Sequence, residues 1–117
     1  MLFRSVYSLG DQNRELYLIR RGTVRIMAPI SGSRQSHHIA SFKRGDFFGG
    51  LAFLDDHPRA DNAIASTDID LYVLTLEQFN QLAEEHKKLA LTLMTAISRT
   101  LAQRLRRADS ERRLLHV

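Results

Sequence analysis

Two adjacent glycines interrupt the strand-like rhythm of the chain, in Phe47-Phe48-Gly49-Gly50-Leu51-Ala52-Phe53-Leu54. A glycine pair followed by Leu-Ala-Phe-Leu predicts a short helical turn whose first backbone N–H groups carry no covering side chain. Such amides, with the helix dipole behind them, attract an anion. Arg59 follows the turn closed by Pro58 and is placed to fold back, adding a fixed positive charge with a planar donor fork. Asp61 stands two residues beyond Arg59. If residues 59 to 61 are extended, both side chains share a face, where the carboxylate repels the phosphate or occupies the guanidinium. Metal chemistry is the other candidate. His37 and His38 are adjacent, so in a strand they face opposite sides, and His57, His86 and His116 have no partner at i, i+4. No metal site is expected. No Gly-x-Ser-x-Gly, Walker loop or paired general acid and base is present, so no enzyme is expected.

The segment needs a scaffold, and the flanking sequence reads as short strands. Leu2 to Tyr7 opens the β region, and Ser8-Leu9-Gly10-Asp11 reads as a turn. Leu16-Tyr17-Leu18-Ile19 is an apolar run that suits a buried strand, closed by a turn at Arg20-Arg21-Gly22. Val24 and Ile26 alternate with Thr23 and Arg25, as in a strand with one face on a core. Pro29 fits a strand end, Ser31-Gly32-Ser33 a hairpin tip, His38 to Phe42 a further strand, and Arg44-Gly45-Asp46 a turn. Leu71 to Leu74 is the last clear strand. Strands this short, with turns every 8–12 residues or so, predict a sandwich or barrel.

Helix follows. Thr75-Leu76-Glu77-Gln78 has the spacing of a capping box, with Thr75 as N-cap. A longer helix is expected from about Lys87 to Arg113, where Ala90, Met94, Ile97, Leu101, Leu105 and Ala108 form one apolar stripe. The stripe spans fewer than the three to four heptads of a coiled coil, so it needs a neighbouring surface, either its own roll or a second copy.

The 117 residues, 44% hydrophobic and 26% charged, suit an ordinary globular domain. Without cysteine there is no disulfide or thiolate metal site, and a reducing, cytoplasmic location fits. No apolar run approaches the roughly 20 residues that span a bilayer. The net charge is +4. Arg99, Arg104, Arg106, Arg107, Arg112 and Arg113 gather in the tail, where a solvated helix face is expected rather than a reader of DNA.

Several short motifs occur together in one order and spacing: Gly10-Asp11, Leu16-Tyr17-Leu18-Ile19 with Gly22, Gly45-Asp46, Phe48-Gly49, Leu51-Ala52, and Arg59-Ala60 leading to Ala65. On these residues the chain resembles the cyclic-nucleotide-binding domain family over about residues 2 to 108. The resemblance implies an α+β, mainly β fold: an antiparallel β-roll of the double-stranded jelly-roll type, with a short cassette helix and C-terminal helices. The roll is expected over residues 1–74, with the phosphate-binding cassette at 45–60 and the helices at 75–117. Phe48, Gly49, Gly50, Leu51, Ala52, Arg59, Ala60 and Asp61 are then the expected ligand site, with cyclic AMP or cyclic GMP as ligand and no metal. The final helix is expected to lid the base and to form a homodimer seam. Two positions depart from the family: Gly50 replaces the glutamate that binds the ribose 2′-hydroxyl, and Asp61 replaces a small alanine.

The expected function is a ligand-sensing regulatory module; the alternative is a degenerate roll that binds no nucleotide and serves as an interaction or dimerisation domain. The chain ends at Val117 without room for a helix-turn-helix, so a piece of a longer protein is expected. The strand Leu71-Tyr72-Val73-Leu74 and the ending Arg104-Leu105-Arg106-Arg107-Ala108-Asp109 are similar to modules appended to bacterial anion transporters of the sulfate-permease type. That likeness implies a parent membrane transporter with the module on its cytoplasmic face.

Overall fold

Alternation in Val24-Arg25-Ile26 buries Val24 and Ile26 and leaves Arg25 exposed, the period-two pattern of a strand with one face on a core, and Asn62-Ala63-Ile64-Ala65 repeats it with Ala63 and Ala65 buried. The structure is a computed structural model and describes residues 4–30 and 35–115; the expected tip at 31–33 lies outside them. The chain divides into two compact units, Met1–Leu76 and Glu77–Val117.

Among its described residues the first unit holds seven strands and one short helix: β1 (Arg4–Tyr7), β2 (Leu16–Arg21), β3 (Val24–Pro29), β4 (Ser36–Phe42), β5 (Phe47–Phe48), α1 (Gly50–Asp55), β6 (Asn62–Ala65) and β7 (Asp70–Leu74). One antiparallel sheet runs β1-β6-β3-β4 and the other β5-β2-β7. Tyr7, Tyr17, Ile19, Val24, Ile26, Phe48 and Ala63 form a single core drawn from both sheets. Phe48 stacks on Tyr17 at 5.0 Å between ring centroids, and Tyr7 lies 6.2 Å from Phe48. Aromatic side chains thus fill the interior beside α1. The mainly β architecture of antiparallel sheets with a short helix is the one expected.

One local expectation is corrected, and two strands stand beyond those read from the sequence. Arg20 and Arg21 belong to β2 rather than to a turn, because only Gly22, at φ 95°, leaves the strand conformation. β5 and β6 carry no strand signal in the sequence. β5 has two residues, too few to show a period, and β6 is Asn-Ala-Ile-Ala, whose small side chains give little hydrophobic contrast.

The second unit contains α2 (Leu76–Glu85) and α3 (Lys87–Leu115). α2 begins immediately after Thr75, where the capping-box spacing places its start. Along α3, Ala90 and Ile97 are buried, whereas Leu105 is 64% exposed. The stripe read from the sequence is therefore buried at its N-terminal end only.

Candidate functional site

Gly49 takes φ 84°, ψ 9°, a left-handed conformation open to glycine, and caps α1. Gly50 is the first residue of α1 and is not among the positive-φ glycines, so the left-handed requirement falls on Gly49 alone. A side chain at Gly49 would also collide: an added Cβ would stand 2.9 Å from Arg59 Nη1, 3.0 Å from the Glu15 carbonyl and 3.2 Å from the Tyr17 ring. α1 is capped at its C-terminus by Asp56, itself left-handed at φ 59°.

The backbone of Arg59 is held by the first turn of the chain. Gly10 N–H donates to the Arg59 carbonyl at 2.8 Å, and Arg59 N–H donates to the Asp11 carbonyl at 2.8 Å. The Asp11 carboxylate accepts from Ser8 N–H at 2.9 Å and stabilises the turn in its own right. Thus Gly10-Asp11, distant in sequence from the cassette, fixes where Arg59 begins.

Its side chain then runs inward and is only 4% exposed. Nη1 donates to the Gly49 carbonyl at 2.8 Å, and Nη2 donates to the Asn13 Oδ1 and the Glu15 carbonyl, both at 2.6 Å. The guanidinium lies 4.2 Å from the centroid of the Tyr7 ring, a cation–π contact. Its Nε–H is buried and has no hydrogen-bond partner among the described residues. All three acceptors are neutral, so the buried charge meets no carboxylate in direct contact.

Asp61 does not occupy the guanidinium, contrary to the expectation from an extended 59–61 segment. β6 begins only at Asn62, with a bend at residues 60 and 61 ahead of it. The Asp61 carboxylate instead accepts from the Tyr7 hydroxyl at 3.3 Å. Burial raises its pKa above the ordinary carboxylate value, while the Tyr7 hydrogen bond and the charge of Arg59 pull the other way. Burial likewise lifts the Tyr7 phenol, helped by Asp61. The Tyr17 phenol is pushed up to about 12 by burial and by donating to Glu15 at 2.8 Å.

The structure therefore brings Phe48, Gly49 and Arg59 together, with Gly50 and Ala52 buried in α1. The Leu51 side chain is exposed, as is Ala60. Sequence reasoning missed Tyr7, Asn13, Arg14, Glu15 and Tyr17. The two tyrosines sit inside apolar runs and read as core. Asn13-Arg14-Glu15 reads as a polar loop, and no sequence signal sets it apart from any other.

The cyclic nucleotide-binding domain model matches residues 4–86, most of the chain and the whole of this site. The chain belongs to the cyclic nucleotide-binding domain family. It is 38% identical over 73 residues to a cAMP-dependent protein kinase regulatory subunit of Hypocrea atroviridis, a match covering 62% of this chain and 14% of that protein. It is 32% identical to the cyclic AMP receptor protein of Thermus thermophilus, covering 96% of this chain and 50% of the relative. The crystal structure of a cyclic nucleotide-binding domain from Methylobacillus flagellatus superposes with a TM-score of 0.86 at 25% identity, covering 92% of this chain and 60% of that one. The chain thus spans half or less of the length of these two curated relatives. Gly49, Gly50 and Arg59, the residues on which the sequence reading places the ligand site, all lie within the matched segment.

Proposed function

We propose that this chain is a cyclic-nucleotide-sensing regulatory module with no catalytic activity of its own. Its ligand phosphate docks against the α1 amides of Gly50, Leu51 and Ala52 and against Arg59, with Phe48, Gly49, Ala60 and Asp61 completing the site. One observation carries this reading: a guanidinium 4% exposed, with an unpartnered Nε–H and only neutral acceptors around it. Among the described residues, the one carboxylate that acts on this charge, Asp61, is held by the Tyr7 hydroxyl rather than by the guanidinium. A buried charge without a direct ion-pair partner is costly, and a ligand phosphate offsets that cost. Cyclic AMP and cyclic GMP both present the required anion. In this reading the module belongs to a larger cytoplasmic or membrane-associated protein, such as a sulfate-permease-type anion transporter, and pairs with a second copy through α3.

Titration calorimetry with cyclic AMP and cyclic GMP tests it. Wild type is expected to bind at least one of them, and Arg59→Lys to weaken that binding by about 2 kcal/mol, because the ammonium keeps the charge but loses the fork. Circular dichroism on the same variant separates lost binding from lost fold. A folded wild type silent to both nucleotides would sink the sensing role and leave the roll as an interaction or dimerisation domain.

A further inference from the structure

α1 has six residues, and a helix that short does not hold itself together in water. Its last turn carries no basic side chain of its own, and the one backbone cap there is the Asp56 N–H, which donates to the Ala52 carbonyl at 3.2 Å. An outside cation therefore adds to the satisfaction of its final carbonyls and of the negative end of its dipole. Arg14, from the segment before β2, supplies one. Its Nε donates to the Ala52 carbonyl at 3.2 Å, and its Nη2 donates to the Phe53 carbonyl at 3.0 Å. Its Nε also lies 3.5 Å from Asp56 Oδ1, and the side chain is 28% exposed. At the opposite end of α1, Arg59 holds the Gly49 carbonyl and is itself held by the neighbours of Arg14, Asn13 and Glu15. Three consecutive residues, 13 to 15, therefore connect to both ends of the helix.

We propose that Arg14 is the positioning residue of the ligand site. It pins the far end of α1, so that the helix amides and Arg59 converge on one phosphate without Arg14 touching the ligand. The role rests on the cyclic-nucleotide reading above. The bonds run to backbone carbonyls, so what they fix is the placement of the whole helix rather than of one side chain. Asp56 is the weaker partner, its side chain 73% exposed and its contact long.

The test uses Arg14→Ala, Arg14→Lys and Asp56→Asn in the full chain, each titrated with cyclic AMP and followed by amide hydrogen exchange without ligand. Arg14→Ala is expected to weaken cyclic AMP binding about tenfold, with a comparable acceleration of exchange confined to residues 51–55. Arg14→Lys should recover part of both losses, because one donor and the charge return. Asp56→Asn should stay within about twofold of wild type, since it removes only an exposed ion pair. Unchanged affinity in Arg14→Ala overturns the proposal. So does exchange that quickens equally in β2 and β7, which marks a general structural role, or Asp56→Asn matching Arg14→Ala, which assigns the effect to the ion pair. A wild type that binds no cyclic AMP overturns this role together with the reading beneath it, and is recognised by the silence of the unmutated protein.

Discussion

Asp61 and Gly50, the two positions at which the sequence reading expects a departure from the family pattern, have different surroundings in the fold. Burial raises the Asp61 carboxyl above its ordinary value, so the folded chain holds that proton more tightly than the unfolded chain does. Its contribution to stability is full below about pH 3.9 and is lost as the pH rises through the raised folded value. Asp61→Asn keeps an acceptor for the Tyr7 hydroxyl and removes the titration. Urea midpoints should therefore show the variant gaining on wild type as the pH rises through that window, then levelling off. At neutral pH the variant should also bind cyclic AMP more tightly, because no carboxylate near Arg59 opposes the phosphate. Gly50 is helical with ordinary φ, so Gly50→Glu meets no left-handed strain. It should tighten cyclic AMP about tenfold and leave 2′-deoxy cyclic AMP unchanged, as calorimetry can read directly. Gly49 differs: at φ 84°, and with Arg59 Nη1 2.9 Å from an added Cβ, Gly49→Ala should cost about 2 kcal/mol or more in denaturant unfolding.

Two Gly-Asp turns show how elements, rather than single residues, aim the site. Gly10-Asp11 locks the backbone of Arg59, and Gly45-Asp46 locks Ile19: Gly45 N–H donates to the Ile19 carbonyl and Ile19 N–H to the Asp46 carbonyl, each at 2.9 Å. In both turns the aspartate side chain accepts a nearby N–H of its own loop, at 2.9 Å from Ser8 and from Lys43. Elements marked by alternation, a compact apolar run, a capping box or a helical stripe were legible in the sequence: β3 by the first, β2 and β7 by the second, the start of α2 by the third and the length of α3 by the last. So were Gly49 and Arg59, because a left-handed glycine and an arginine after a proline leave marks in the residue types. The rest of the site left none. Arg14, Asn13 and Glu15 act through backbone carbonyls and an amide oxygen in a loop, and any polar triplet has the same appearance until the chain is folded. The reach of Asp61 toward Tyr7 depends on a bend that an extended reading could not contain. On α3, Leu105 is 64% exposed while Ile97 is buried. Replacing Leu101 and Leu105 with Glu should leave the roll folded and abolish any dimer, as sedimentation would show, because unpaired carboxylates cannot be buried in an apolar seam.

Across the whole molecule, charge and colour are distributed unevenly. The net charge is +4, and Arg99, Arg104, Arg106 and Arg107 all lie on α3, away in sequence from the arginine that faces the cassette. Added salt should therefore act mainly on contacts made by that helix, and only weakly on a site whose guanidinium is buried. The chain contains no tryptophan and three tyrosines. Two of them, Tyr7 and Tyr17, lie 4.2 and 5.9 Å from the guanidinium carbon of Arg59, while Tyr72 is exposed on β7. With no indole to outshine them, these phenols make the domain its own optical probe. Ligand arrival at Arg59 should therefore change the ultraviolet emission of the two rings beside it, and a collisional quencher in the solvent should suppress the exposed Tyr72 first, leaving the change at the site readable.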